Sequence, residues 1–190
     1  MALVLVGINH STANIEMREK VAFPPEIVES ALAEIYALPP IREVVIVSTC
    51  NRTEIYLDFV ESDSAVPAGD ELAQKRQLVD RQEEVVAWLS TFHDLQAGEL
   101  EQCSYSYAGE DVVRHLMKVS CGLDSMVLGE PQILGQIKSA YAVSKDQEVV
   151  AQSLGRAFEE AFSIAKQVRT DTAIGENPVS VAYAAVTLAE

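Results

Sequence analysis

The stretch Ser48-Thr49-Cys50-Asn51-Arg52-Thr53-Glu54 sets a thiol, an amide and a guanidinium in consecutive positions between two apolar runs. A thiol next to a fixed cation is shifted toward thiolate, the form that attacks acyl carbons. Arg52 carries a planar fork that matches a carboxylate. Together these residues supply acyl-transfer chemistry beside carboxylate recognition. They also have a plainer reading. A cysteine that closes a buried strand is more often a small core residue, and an arginine beside it is more often a surface ion-pair partner. Residue chemistry alone leaves both readings open.

A second cluster lies at residues 122–132, Gly-Leu-Asp-Ser-Met-Val-Leu-Gly-Glu-Pro-Gln. It sets Ser125, Glu130, Pro131 and Gln132 around two glycines, just before a helix that Pro131 opens. Backbone N–H groups at such a start favour anionic or carbonyl ligands. Gln132 and Gln136 are four apart and share a helix face, suited to reading the amino and carbonyl groups of an amino-acid ester. A capped loop with exposed amides is the alternative. Three histidines are available as proton carriers: His10 at the end of the first strand, His93 in a polar loop, and His115 inside an apolar helix. The sequence does not say which of them approaches Cys50. Cys103 and Cys121 form no C-x-x-C pair and have no histidine at zinc spacing, so both read as structural. The same lack of ligand spacing argues against a metal or haem site.

These residues need a scaffold. Residues 3–8 are apolar and rich in β-branched side chains, which predicts a strand. Pro24 and Pro25 open a helix that continues through Ile27, Val28, Ala31, Leu32 and Ile35 and stops before Pro39 and Pro40. Residues 43–48 predict a buried strand and 54–60 an alternating one, joined tightly through 49–53. Residues 61–70 are turn-rich, a helix ends near Phe92, and 103–107 predict a short last strand. The order β-α-β-β-α-β is the split βαβ arrangement of ferredoxin-like folds, an α+β class with an antiparallel sheet and helices on one face. An α-helical extension follows, with helices at 111–120, from Pro131 past Tyr141, at 152–169 and from Val179 onward. The expected division is 1–108 as core, 109–147 as helices carrying pocket residues, and 148–190 as linker helices. The chain stops inside the last of these, which reads as a longer protein cut short.

The formal net charge of −15 makes a poor nucleic-acid binder overall, because phosphate contacts need Lys and Arg. A local exception is the run Lys138, Lys145, Arg156, Lys166 and Arg169. No apolar run reaches the roughly 18–20 residues of a membrane span. The short apolar start lacks a basic flank and a cleavage site, and three cysteines with no framework spacing fit a reduced cytoplasmic protein.

Several long strings now stand in register. They are GINH-STA, REKVAF, STCNRTEIY, GLDSMVLGEPQILGQIKSAY and VRTDTAIGENPVSVAYAA. In order, and over almost the whole chain, they resemble the glutamyl-tRNA reductase family. The resemblance implies the first committed step of tetrapyrrole synthesis. Cys50 attacks the α-carbonyl of glutamate esterified to its tRNA, and NADPH reduces the thioester to glutamate-1-semialdehyde. It implies substrate-binding roles for Thr49, Asn51, Arg52, Ser125, Glu130, Pro131, Gln132 and Gln136, with Arg52 as carboxylate clamp, and a role in activity for His115. It also implies a homodimer through a C-terminal domain, and a hand-over to glutamate-1-semialdehyde aminomutase. Two departures stand out. No strand here is followed by G-x-G-x-x-G, so NADPH is expected on a domain outside this sequence. Residues 61–80 look longer than the family usually carries. The competing expectation is a module that docks tRNA or a protein without chemistry.

Overall fold

The computed structural model describes residues 2–60 and 71–175. The expected loop at 61–70 and the expected helix from Val179 lie outside those residues. Four strands are present: β1 (Ala2–Asn9), β2 (Ile41–Ser48), β3 (Arg52–Phe59) and β4 (Tyr105–Ala108). They form one antiparallel sheet in the order β2-β3-β1-β4, with β1 between β3 and β4. That is the ferredoxin-like order: β1 and β2 run the same way, split by β3. The helices are α1 (Ile15–Lys20), α2 (Pro25–Tyr36), α3 (Glu71–Phe92), α4 (Glu110–Ser120), α5 (Gln132–Asp146) and α6 (Gln152–Asp171).

The six-residue α1 breaks the expected straight run from β1 to the Pro-initiated helix. Its signal is local. Asn14 accepts from the Met17 backbone N–H at 2.9 Å and caps the helix, and Glu16 sits in the first turn. No residue of α1 is buried, so no apolar periodicity announced it. The last strand also starts later than expected, at Tyr105, because Cys103 and Ser104 are spent in a turn whose backbone N–H groups both reach Leu100 O.

Alternation along the strands builds two separate cores. Val4, Val6 and Ile8 of β1, Val44 and Ile46 of β2, and Ile55, Leu57 and Phe59 of β3 pack with α2 and α3. The opposite face presents Leu3, Leu5, Val45, Val47 and Tyr56 to α4, α5 and α6. The helical extension is therefore a third layer, covering the face that a two-layer ferredoxin-like unit leaves to solvent. This corrects the alternating reading of β3, whose eight residues are all buried. Its second face carries Arg52, Glu54 and Asp58 under the extension, so polar residues there mark buried partners rather than water.

Two devices fasten the third layer. Glu43, 1 % exposed at the start of β2, accepts backbone N–H bonds from Ala151, Ser153 and Leu154 at 2.8–2.9 Å. It caps the N-terminus of α6 from another element, satisfying donors that a helix start leaves orphaned. At the free edge of β2, Val44 N–H reaches Val149 O, which shields part of that edge.

Candidate active site

Residues 49–51 join β2 to β3 as a tight turn, with Thr49 N–H donating to Arg52 O at 2.8 Å. The Thr49 hydroxyl oxygen accepts the backbone N–H of Asn51 and of Arg52, each at 3.2 Å. Thr49 therefore spends its oxygen on shaping the turn. Cys50 is left at the tip and is the exposed cysteine of the three, whereas Cys103 is half-buried and Cys121 buried. The core-residue reading of Cys50 is set aside by that exposure. The tip is tied down from α1. Arg18 Nε donates to Cys50 O at 3.3 Å while its Nη1 donates to Ala13 O at 2.7 Å.

Arg52 does not stand open as a surface clamp. It is 1 % exposed, with Nη1 on Glu54 Oε1 at 2.7 Å and Nη2 on both Asp124 O and Asp124 Oδ2 at 2.6 and 2.9 Å. A guanidinium brought into a protein interior must keep carboxylate partners, and these two are supplied by β3 itself and by the loop after α4. Glu54 is the hub. Its Oε1 also takes Tyr105 OH at 2.6 Å and His115 Nε2 at 2.7 Å, and its Oε2 takes Tyr56 OH at 2.7 Å. Burial pushes the Glu54 pKa up, but the His115 hydrogen bond and the Arg52 charge outweigh it and hold the carboxyl down at about 2. Burial and the Glu54 charge raise both tyrosines, which stay protonated as donors. An ionised Glu54 fixes the proton of His115 on Nε2. His115 thus commits its Nε2 to the network.

Gly7 makes room for this hub. It faces Glu54 in the β1–β3 register, and a Cβ there would sit 2.8 Å from Glu54 Cγ and 2.9 Å from Thr53 O. The loop that carries Asp124 is closed by two more glycines. Gly129 N–H donates to Gly122 O at 2.9 Å, and both have positive φ, 75° and 77°. A Cβ on Gly122 would lie 3.0 Å from Gly129 Cα, so the loop ends meet only as glycines. This brings Asp124 to Arg52 and to Asn9 Nδ2, and Arg169 of α6 pins the far end through Glu130 O at 2.8 Å. Ser125 Oγ is buried without a hydrogen-bond partner, an unmet group of the sort a ligand satisfies.

Pro131, Gln132 and Gln136 are exposed at the start of α5. Gln132 and Gln136 line a cleft of about 700 Å³ together with Ser48, Phe23, Glu29 and Ser139. That cleft runs from the base of the Cys50 turn along α5, which joins the two sequence clusters in space. The basic run disperses: Lys138 lies over Phe162, Lys145 over Tyr141, and Arg169 is spent on Glu130. Among the described residues there is no group of His, Cys, Asp and Glu arranged to hold a metal ion, and no helix is long and apolar enough to cross a membrane.

Sequence reasoning passed over Arg18, Glu54, Asp124, Tyr56 and Tyr105 as members of the site. The available signal was Glu54 itself, a carboxylate inside an apolar strand that two layers bury.

A ferredoxin-like sheet under a helical third layer carries an exposed thiol on a hairpin tip beside a buried Arg–Glu–His network. The model of the N-terminal domain of glutamyl-tRNAGlu reductase matches residues 6–172. Over all 190 residues the chain is 53% identical to the glutamyl-tRNA reductase of Ectopseudomonas mendocina and 52% identical to that of Pseudomonas aeruginosa, covering 40% and 41% of them. The glutamyl-tRNA reductase structure from Methanopyrus kandleri superposes with a TM-score of 0.73 at 30% identity, covering 99% of this chain and 39% of that one. The chain belongs to the glutamyl-tRNA reductase family, as its N-terminal domain, and spans about two fifths of the length of those relatives.

Proposed function

We propose that this domain accepts the glutamyl group of glutamyl-tRNA on Cys50. The observation that carries the reading is the exposed thiol at the tip of a turn fixed by Thr49 and Arg18, beside the cleft that Gln132 and Gln136 line. The Cys50 Sγ bonds to the α-carbonyl carbon, the carbon–oxygen bond to the tRNA ribose breaks, and a glutamyl thioester remains. Gln132, Gln136 and the unpartnered Ser125 Oγ are positioned to hold the amino-acid end, with Asn51, Glu130 and Pro131 around it. Arg52, charged but paired on both sides, contributes a positive field and a rigid turn, and it meets the substrate carboxylate only if Asp124 gives way.

In this family-level reading NADPH supplies hydride that reduces the thioester to glutamate-1-semialdehyde. The sequence has no strand followed by G-x-G-x-x-G to hold it. The reading extends to a homodimer formed by other regions, to hand-over of product to glutamate-1-semialdehyde aminomutase, and to a cytoplasmic setting.

Discharge of labelled glutamyl-tRNA by the chain is the test. The wild-type chain releases free tRNA, and Cys50→Ser slows release at least about 100-fold while retaining binding. Equal discharge by both proteins contradicts the reading and favours the docking module.

A further inference from the structure

Acyl transfer to a thiol needs a group that removes one proton and returns it to the leaving oxygen. His115 is spent on Glu54 and stacks on Tyr107 at 4.8 Å between ring centroids. His93 follows the end of α3, half-buried, and packs edge-on against Phe23 and Phe92 at 4.6 and 5.1 Å; its Nε2 has no hydrogen-bond partner either, but it stands on the helix layer rather than at the β1 end. His10 is different. Asn9 is the last β1 residue laddered to β3, opposite Arg52, so the next residue, His10, runs alongside the turn that holds Cys50. The ring is half-buried and its Nδ1 is shut off from water with no hydrogen-bond partner. A buried polar atom left unmet at the end of the strand paired to the Cys50 hairpin calls for a function.

We infer that the His10 imidazole carries the proton for Cys50, taking it from the thiol as the sulfur–carbon bond forms and giving it to the ribose oxygen as the carbon–oxygen bond breaks. This deepens the acyl-transfer reading above and rests on it. The charges around the ring suit the task. Arg52 of β3 and Arg18 of α1 disfavour an imidazolium, whereas Asp124 and Glu130 of the glycine-closed loop favour one. Burial first, then Arg52, lowers the His10 pKa, so the base form is present at neutral pH. The imidazolium formed is then a ready donor to the departing alkoxide, and the proton count closes without another reagent.

His10→Ala and His10→Gln are the variants, with two readouts on the whole chain. Both are expected to slow glutamyl transfer from glutamyl-tRNA by about 100-fold or more. Both are also expected to lose part of the reaction of Cys50 with iodoacetamide near about pH 7, and to match the wild type near about pH 10, where the thiol ionises unaided. His10→Gln keeps a polar side chain, so it separates proton carriage from positioning and guards against a fold defect in His10→Ala. Transfer restored by His10→Gln, or variants matching the wild type in both readouts, overturns the inference. If the wild type transfers no glutamyl group yet the variants alter the alkylation profile, the acyl-transfer reading falls and the His10–Cys50 proton coupling stands.

Discussion

At the scale of single residues, the centre of the candidate site is a buried carboxylate rather than the Cys50 thiol. Glu54 gathers Arg52, Tyr56, Tyr105 and His115, and each of these partners is on a different part of the wall around it. Because its folded pKa lies at about 2 against an ordinary 4.5, its contribution to stability is present above pH 4.5 and is lost as pH falls toward 2. Chemical denaturation across that window is expected to show stability falling with acid, and Glu54→Gln is expected to flatten that slope while lowering stability at neutral pH. Equal slopes would place the acid-sensitive group elsewhere. Gly7→Ala attacks the same hub through space: the new methyl meets Glu54 Cγ and Thr53 O within 3 Å. It is expected to cost about 1–3 kcal/mol in urea unfolding, the usual range for overpacking.

At the scale of elements, the hairpin β2–β3 and the loop 122–130 do the positioning, and α6 anchors the layer that holds them. Glu43 caps α6 with three backbone bonds, so Glu43→Ala leaves two buried donors and one partly buried donor unmet. A loss of about 3 kcal/mol or more is expected by thermal or urea unfolding, near the cost of breaking a buried charged hydrogen-bonded group. A loss within about 0.5 kcal/mol, the scale of surface substitutions, would contradict the cap. The strands and long helices were legible in the sequence because their apolar periodicity is strong: Ile27 to Ile35 for α2, residues 43–48 for β2. The third layer was half legible. Its helices were evident, but that they close over β3 was not, since Arg52, Glu54 and Asp58 give β3 the alternation of a half-exposed strand. The helix α1 was missed because it fully buries no residue, only part of Met17, and stands on one Asn14 cap. In the candidate site, residue type and place drew Cys50, Ser125, Gln132 and Gln136 out of the sequence but left a structural reading open for each, and the family resemblance decided between the two. Arg18, Glu54 and Asp124 act through long-range contacts that no local pattern encodes, which is why Arg52 read as an open clamp.

At the scale of the whole molecule, the acidity and the site have to be reconciled. A chain at −15 repels a polyanion, and Lys138, Lys145 and Arg169 are each engaged within the domain, over Phe162, over Tyr141 and on the Glu130 carbonyl. Under the proposed function this domain therefore holds the amino-acid end of the substrate and has little grip on the tRNA body. Discharge by the isolated chain is expected to need high tRNA concentration and to weaken only modestly with salt, because few phosphate contacts release few counterions. A steep salt dependence would instead point to a tRNA-binding face on this domain. The central claim is covalent, and intact-protein mass spectrometry addresses it directly. The chain is mixed with glutamyl-tRNA, quenched in acid and digested. One glutamyl adduct is expected, located on Cys50 and removed by hydroxylamine as a thioester is. An adduct on Cys103 or Cys121, or no adduct while iodoacetamide still labels Cys50, would contradict it.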